Sequence, residues 1–180
     1  MTKDQVRQAL VAIASRDVGQ REQTHNRAPW IAKYWPATSL PGLYAMGSSY
    51  RGRPPYCAAA VSYWVAEWLK NPEVLALLGM TPKQAESWRC KSPAAFGWLT
   101  WATQRGLQVL SDSPGNRLMP GDIMVFDMSH IGIVAVPSAG SQALTTIEAN
   151  TGLSGSRDGD GCWRKYRQRS LARGFIRLIA

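Results

Sequence analysis

The chain has 180 residues, of which 21 are lysine or arginine and 12 are aspartate or glutamate, so its formal net charge is +9. Hydrophobic residues make up 45% of the chain and charged residues 18%, which excludes a disordered chain, a coiled coil and collagen. No apolar run approaches the roughly 20 residues that a membrane-spanning helix needs. We therefore expect one domain over residues 1–180, with residues 1–20 as an N-terminal helix or extension.

The excess of positive charge predicts either an anionic partner or a basic face in solvent. The basic residues are scattered along the chain, with one denser group between residues 164 and 173. The sequence contains no zinc-finger spacing, RNP-like aromatic strand or basic leucine zipper, so we expect no nucleic-acid partner. An anionic polymer stays open as a partner beside the plainer interpretation, a solvated basic surface.

The first element in chain order is an amphipathic helix. Val6, Ala9, Leu10 and Ile13 are spaced at three- and four-residue intervals, which places them on one helical face. A secretion signal is the alternative, because Lys3 precedes an apolar run, but that run spans only residues 9–14. We therefore expect no signal peptide.

Four more helices follow from capping signals and periodicity. Proline and glycine are dense between residues 19 and 56, which predicts loops with short helical pieces. An apolar stripe at helical spacing predicts a helix over residues 58–70. A capping residue followed by proline is typical of a helix start. Such pairs predict helices beginning near Asn71-Pro72, Thr81-Pro82 (with Gln84 as in a capping box) and Ser92-Pro93, with Gly79 and Gly106 ending the first and last.

The second half of the chain changes to the pattern of β-strands. We predict strands over residues 123–126, 131–136, 144–149, 163–166 and 174–178, because these runs are apolar or alternate. A segment rich in glycine, serine and aspartate over residues 152–161 predicts a long hairpin loop. Helices followed by antiparallel strands indicate an α+β domain.

Three cysteines cannot all form disulfides within one chain, so at least one remains a thiol. Cys57, Cys90 and Cys162 have no spacing typical of a zinc site, and we expect no structural metal. Cys57 directly precedes the predicted helix 58–70, where the helix dipole and free N–H groups stabilise a thiolate and an oxyanion. It is therefore a candidate nucleophile, while a small buried residue at a helix start is the structural alternative.

Three more residues complete a candidate catalytic set. His130 begins the strand predicted over 131–136, where an imidazole can accept a proton from a thiol; a surface histidine in a turn is the alternative. Glu148 and Asn150 lie two residues apart at the end of the next strand, so both project from the same face if the strand persists. Either side chain can accept the imidazole N–H and orient the ring, unless Asn150 caps the following loop. His25 has no such context and is predicted as a surface residue.

Three segments carry a resemblance to a known family. The sequence contains PYCAAAV at residues 55–61, PGDI at 120–123 leading to HIGIV at 130–134, and TIEANTG at 146–152. Together these segments resemble the CHAP family, the cysteine, histidine-dependent amidohydrolases/peptidases related to papain. The resemblance spans residues 26–178 and implies a papain-like α+β fold, with N-terminal helices packed on a small antiparallel β-sheet.

The resemblance implies hydrolysis of an amide bond in the peptide part of bacterial peptidoglycan. Cys57 would be the nucleophile, His130 the general base and then acid, Glu148 the orienting carboxylate and Asn150 a second polar residue beside it. We expect a monomer with no cofactor, and the charge of +9 and exposed aromatic residues make anionic cell-envelope polymers further candidate partners. The alternative is a non-catalytic module on the same fold that binds the cell wall or a polyanion.

Localisation follows from the same expectations. Without a signal peptide, the protein would be made in the cytoplasm and act on the cell wall after release or delivery, in the periplasm or outside the cell. A phage lysin, a virion-associated hydrolase and a toxin delivered by a secretion machine each fit.

Two smaller features of the sequence lie outside the candidate catalytic set. Asp158 and Asp160 alternate with glycines as in a calcium loop, but the remaining acidic ligands are missing, so a hairpin turn is favoured. Tyr50 and Tyr56 precede Cys57 closely, and each is a candidate either to donate a hydroxyl to an oxyanion or to pack in the core.

Overall fold

The structure, a computed structural model, describes residues 1–43, 54–137 and 142–180. Tyr50 lies outside these residues. The helices are α1 (Lys3–Ser15), α2 (Pro29–Ala32), α3 (Cys57–Trp68), α4 (Pro72–Leu78), α5 (Pro82–Trp88) and α6 (Ala95–Gln104). The strands are β1 (Gln108–Leu110), β2 (Ile123–Phe126), β3 (His130–Val136), β4 (Ala143–Thr151), β5 (Gly161–Gln168) and β6 (Ala172–Arg177). This order confirms the predicted α+β architecture.

Of the three helix starts predicted from a capping residue followed by proline, those of α4 and α5 are confirmed. Thr81 and Gln84 form the expected capping box at α5, and Asn71 caps α4 by accepting the N–H of Glu73. The start predicted for α6 at Ser92-Pro93 is wrong by two residues. The Ser92 hydroxyl accepts the N–H of Ala94 at 3.2 Å, which forms a local turn in place of a helix cap.

The strands form one antiparallel sheet in the order β1-β6-β2-β3-β4-β5. β2 and β3 are joined by a tight turn at residues 127–129, so that Phe126 pairs directly with His130. The sequence did not predict β1. It has only three residues, and its partner β6 is far away in the chain.

The hydrophobic core places α3 against the middle of the sheet. α3 contacts α1, β3 and β4, and most of its side chains are buried. The larger core cluster includes Val61 and Val65 of α3 with Ile133 and Ile147 of the sheet. A smaller cluster, which contains Met124, Phe126, Val134, Leu144 and Phe175, lies on the opposite face of the sheet. This packing brings the first residue of α3 to the beginning of β3.

The aromatic residues contribute mainly to the core. Trp35, Trp64, Trp68 and Trp98 are fully buried, and the other four tryptophans are half-buried. In the part of the chain that the structure describes, Tyr166 is the one aromatic residue that is largely exposed, at 73%. The expectation of several exposed aromatic side chains is therefore wrong for the described residues. None of the described helices combines the length and apolar character needed to cross a bilayer.

Candidate active site

Cys57 is the first residue of α3 and lines a cleft of about 310 Å³. The walls of this cleft come from five regions of the chain, and its described lining residues are Trp35, Leu40, Leu43, Pro54, Pro55, Cys57, Pro93, Ala94, Ala95, Ser129, Arg157 and Asp158. Arg157 donates to the carbonyl oxygen of Met128 at 2.9 Å, which joins the β4–β5 loop to the β2–β3 turn across the cleft. Cys57 is therefore a buried residue that borders a cleft of the size that small ligands occupy.

The backbone before Cys57 is held by side chains from two other regions. Tyr56 is the non-helical residue that precedes α3, and its N–H donates to Asn150 Oδ1 at 3.2 Å. Its hydroxyl donates to Glu22 Oε1 at 2.8 Å. The side chain of Tyr56 makes no capping hydrogen bond to α3. The first N–H groups of α3 therefore have no capping acceptor from Tyr56, and the N-terminal end of the helix dipole lies at the thiol.

His130 bridges the thiol and a carboxylate. Its Nε2 lies 2.9 Å from Glu148 Oε2, and both side chains are fully buried. Its Nδ1 is buried and makes no well-formed hydrogen bond within the described residues, which leaves this nitrogen for Cys57. Burial disfavours the charged imidazole and so lowers the pKa of His130. The hydrogen bond and the charge of Cys57 raise this pKa, those of Glu148 raise it further, and the result is a pKa of about 9.

Glu148 is a buried carboxylate with donors on three sides. Arg167 donates from Nε to Oε1 at 2.8 Å and from Nη2 to Oε2 at 2.6 Å. The hydroxyl of Thr146 also donates to Oε1. Burial raises the pKa of Glu148, but the hydrogen bonds from Arg167 and His130 outweigh it and lower the pKa to about 2. The carboxylate is therefore ionised across the physiological pH range.

Gly132 makes room for this arrangement. A Cβ atom at Gly132 would lie 2.7 Å from Glu148 Cγ and 2.8 Å from the carbonyl oxygen of Ile147. Glu148 reaches His130 by passing directly over the backbone of β3 at this glycine. The glycine of the HIGIV segment is thus required by close packing of the two strands.

Asn150 lies near the site but does not contact His130. A register shift between Ala149 and Thr151, together with a φ of 57° at Asn150, interrupts the alternation of β4. The regular strand on which a shared face for Glu148 and Asn150 depended therefore does not persist to Asn150. The amide of Asn150 accepts the Tyr56 N–H and donates to Asn26 Oδ1 at 2.7 Å. Asn150 thus fixes the backbone before Cys57, while Glu148 alone of the two meets the imidazole.

Sequence reasoning missed Arg167 as part of the site and left the role of Tyr56 open. Arg167 stands in a basic segment with no local feature that separates it from its neighbours. Only the pairing of β4 with β5 brings its guanidinium to Glu148. The Tyr56 hydroxyl is engaged with Glu22 inside the core, which favours a packing role over donation to an oxyanion.

The remaining cysteines and histidine are not among the described lining residues of the cleft. Cys90 and Cys162 are buried free thiols, and burial raises the pKa of both, that of Cys90 to about 11. His25 has a side chain that is 65% exposed, as predicted for a surface residue. Cys57 is therefore the thiol that combines a cleft with a histidine.

The glycine-rich segment after β4 forms the predicted hairpin loop between β4 and β5. Asp160 accepts the indole N–H of Trp163 at 3.0 Å, and Asp158 lies beside Asn150 and His25. Within residues 1–43, 54–137 and 142–180, no group of three or more His, Cys, Asp or Glu side chains is arranged to hold a metal ion. The two aspartates are thus accounted for by contacts within the loop and its surroundings.

Comparisons with protein-family models, with curated proteins and with solved structures find no match to this chain.

Proposed function

We propose that the protein is a cysteine amidohydrolase or peptidase that cleaves an amide bond in the peptide part of peptidoglycan. The observation that carries the proposal is a buried series of contacts beside the cleft. It runs from Cys57 through His130 to Glu148. Thiol-dependent acyl transfer requires this arrangement of a nucleophile, a base and a group that orients the base.

The proposed mechanism uses His130 in two successive roles. A raised pKa of His130 favours an imidazolium that stabilises the Cys57 thiolate. The thiolate adds to the amide carbonyl, and the N–H groups at the start of α3 receive the oxyanion. Imidazolium then protonates the leaving amine as the C–N bond breaks, which gives a thioester. His130 next takes a proton from water, which attacks the thioester, releases the carboxylic acid and restores the thiol pair.

The choice of peptidoglycan comes from the resemblance to the CHAP family, with support from the cleft and the charge. The cleft combines apolar walls at Trp35 and Leu40 with the charged side chains of Arg157 and Asp158, which suits a short peptide that carries charges. The net charge of +9 favours encounter with an anionic cell envelope. A papain-like arrangement of the α+β fold is part of the same proposal.

The test is the clearing of purified sacculi by the wild type, Cys57→Ala and His130→Ala. We expect both variants to lose at least about 1,000-fold in rate, because the nucleophile and its base act as one unit. Cys90→Ala, which removes a buried thiol away from the cleft, is the matched control and should clear sacculi at the wild-type rate. Clearing by folded Cys57→Ala at the wild-type rate would contradict the mechanism.

Mass spectrometry of the released muropeptides identifies the bond that is cut. A new amine and a new carboxyl group at one amide position, in a product that the Cys57→Ala reaction lacks, are expected for this mechanism. Binding of wild-type protein to sacculi with no released product would instead support the non-catalytic wall-binding module.

A further inference from the structure

Arg167 is a buried guanidinium that the mechanism above does not use. It lies near the end of β5, and its side chain is 8% exposed. Its Nε and Nη2 atoms contact the two oxygens of Glu148, as in a bidentate arginine–carboxylate pair. Glu148 Oε2 therefore accepts from Arg167 and from His130 at the same time.

The same guanidinium also holds the β4–β5 loop. Arg167 Nη1 donates to the carbonyl oxygen of Gly155 at 2.9 Å, and Nη2 lies 3.4 Å from the hydroxyl of Thr151. Gly155 has a φ of +92°, and a Cβ atom there would lie 2.8 Å from Arg167 Nη1. This loop supplies Arg157 and Asp158 to the wall of the cleft. One side chain thus contacts both the orienting carboxylate and the loop that shapes the cleft.

We propose that Arg167 is a positioning residue of the site, which keeps Glu148 ionised and directed at His130 while it anchors the cleft loop at Gly155. The proposal rests on the proposed function, since it assigns Arg167 to the same Cys57–His130 site. It goes beyond that function because the residue acts through Glu148 and has no contact with the cleft nucleophile.

The charges around Glu148 support this role. The titratable and charged groups that face it are His130 on β3, and Arg167 and the thiol of Cys162 on β5, while Cys57 acts on it through His130. Arg167 is the one group among these that carries a fixed positive charge. Without it, a carboxylate at zero exposure would be balanced only by an imidazole that itself titrates.

The experiment measures the pH dependence of Cys57 alkylation by iodoacetamide, followed by mass spectrometry of the Cys57 peptide. It uses no peptidoglycan, so it tests Arg167 even if the proposed substrate is wrong. The acid limb of this profile is the pH range over which the alkylation rate rises as the thiolate forms. We expect the limb to lie at a pH higher by about one unit or more in Arg167→Met than in the wild type, because loss of the cation lets Glu148 take up a proton. Arg167→Lys keeps the charge and should shift the limb less than Arg167→Met.

The double variant Glu148→Gln/Arg167→Met decides whether Arg167 acts through the carboxylate. We expect its acid limb to coincide with that of Glu148→Gln alone, since the group that Arg167 positions is already gone. An unshifted limb in folded Arg167→Met, or an equal shift added in the Glu148→Gln background, would overturn the proposal. If Arg167→Met does not fold, Arg167→Gln, which also removes the charge, takes its place with the same expected shift, and an unshifted limb in that folded variant would overturn the proposal.

Discussion

Asp17 after α1 and Glu148 in β4 are both buried carboxylates with dense hydrogen bonding, and they differ in what surrounds them. Asp17 Oδ2 accepts from the Tyr34 hydroxyl at 2.8 Å and the Trp64 indole at 2.7 Å, and the ammonium of Lys33 contacts Oδ1. These side-chain types do not ordinarily change protonation between pH 5 and 8. Asp17 therefore joins α1, the α2 region and α3 through these three contacts.

Glu148 has one partner of a different kind. His130 titrates, its second ring nitrogen has no well-formed hydrogen bond in the described part of the chain, and its pKa responds to Cys57. Cys57 in turn lines the cleft. The comparison shows that burial and hydrogen bonding alone do not mark a functional carboxylate. The distinguishing feature is a titratable neighbour that leads to a thiol beside the cleft.

The largest expected difference between the two carboxylates is in activity. Glu148→Gln should lower the rate of sacculus clearing on the order of 100-fold, less than the loss of Cys57, because orientation is part of the acid–base contribution. Asp17→Asn is the matched control, since it neutralises a carboxylate of similar burial. We expect its folded form to clear sacculi at close to the wild-type rate. Equal rates for Glu148→Gln and the wild type would remove Glu148 from the site.

The next expected difference is in stability. Asp17→Asn should lower the free energy of unfolding by about 1–3 kcal/mol, because the new amide cannot accept all of the hydrogen bonds that the carboxylate accepts. Urea denaturation followed by tryptophan fluorescence measures this change. Tyr34→Phe removes one of the donors and should lose less than Asp17→Asn, since the carboxylate keeps its other two partners. A stability of Asp17→Asn equal to that of the wild type would show that the cluster makes no net contribution.

Local chemistry explains what could be predicted from the sequence. The helix-start signals at Asn71 and Thr81, the apolar spacing of α1 and the period-two strands are all encoded within a few residues. The placement of Cys57 at a helix start and His130 at a strand start followed from the same signals. Because β4 follows β3 directly, Glu148 could also be placed near His130.

The rest depends on contacts between distant residues. Arg167 is selected by the register of β4 on β5, and β1 forms only because β6 offers it an edge. The regular alternation that would put Asn150 on the same face as Glu148 fails, because the positive φ of Asn150 and the bulge beside it break the two-residue period. Composition likewise could not show that the tryptophans lie mainly in the core. These features become visible only when the strands are paired and the helices packed.

The smallest expected effect is a pH dependence of stability to which Glu148 should contribute and Asp17 should not. The pKa of His130 is raised from 6.5 to about 9, so the stability from its protonated form is fully present below pH 6.5 and lost as the pH rises through 9. Cys57 contributes more to this rise than Glu148 does, so Glu148→Gln should remove only part of it. The unfolding free energy of the wild type relative to Glu148→Gln should therefore fall by about 1 kcal/mol between pH 6.5 and 9.5.

Asp17→Asn provides the contrast that makes this measurement specific. Asp17 has no hydrogen-bonded histidine among the described residues, so the difference between the wild type and Asp17→Asn should stay constant over the same pH range. Urea titrations of the three proteins at matched ionic strength, with a reductant to keep the thiols free, measure both differences. A flat profile for Glu148→Gln would mean that Glu148 does not stabilise the imidazolium. In that case the carboxylate would be a structural acceptor like Asp17, and the assignment of His130 as a base oriented by Glu148 would fail with it.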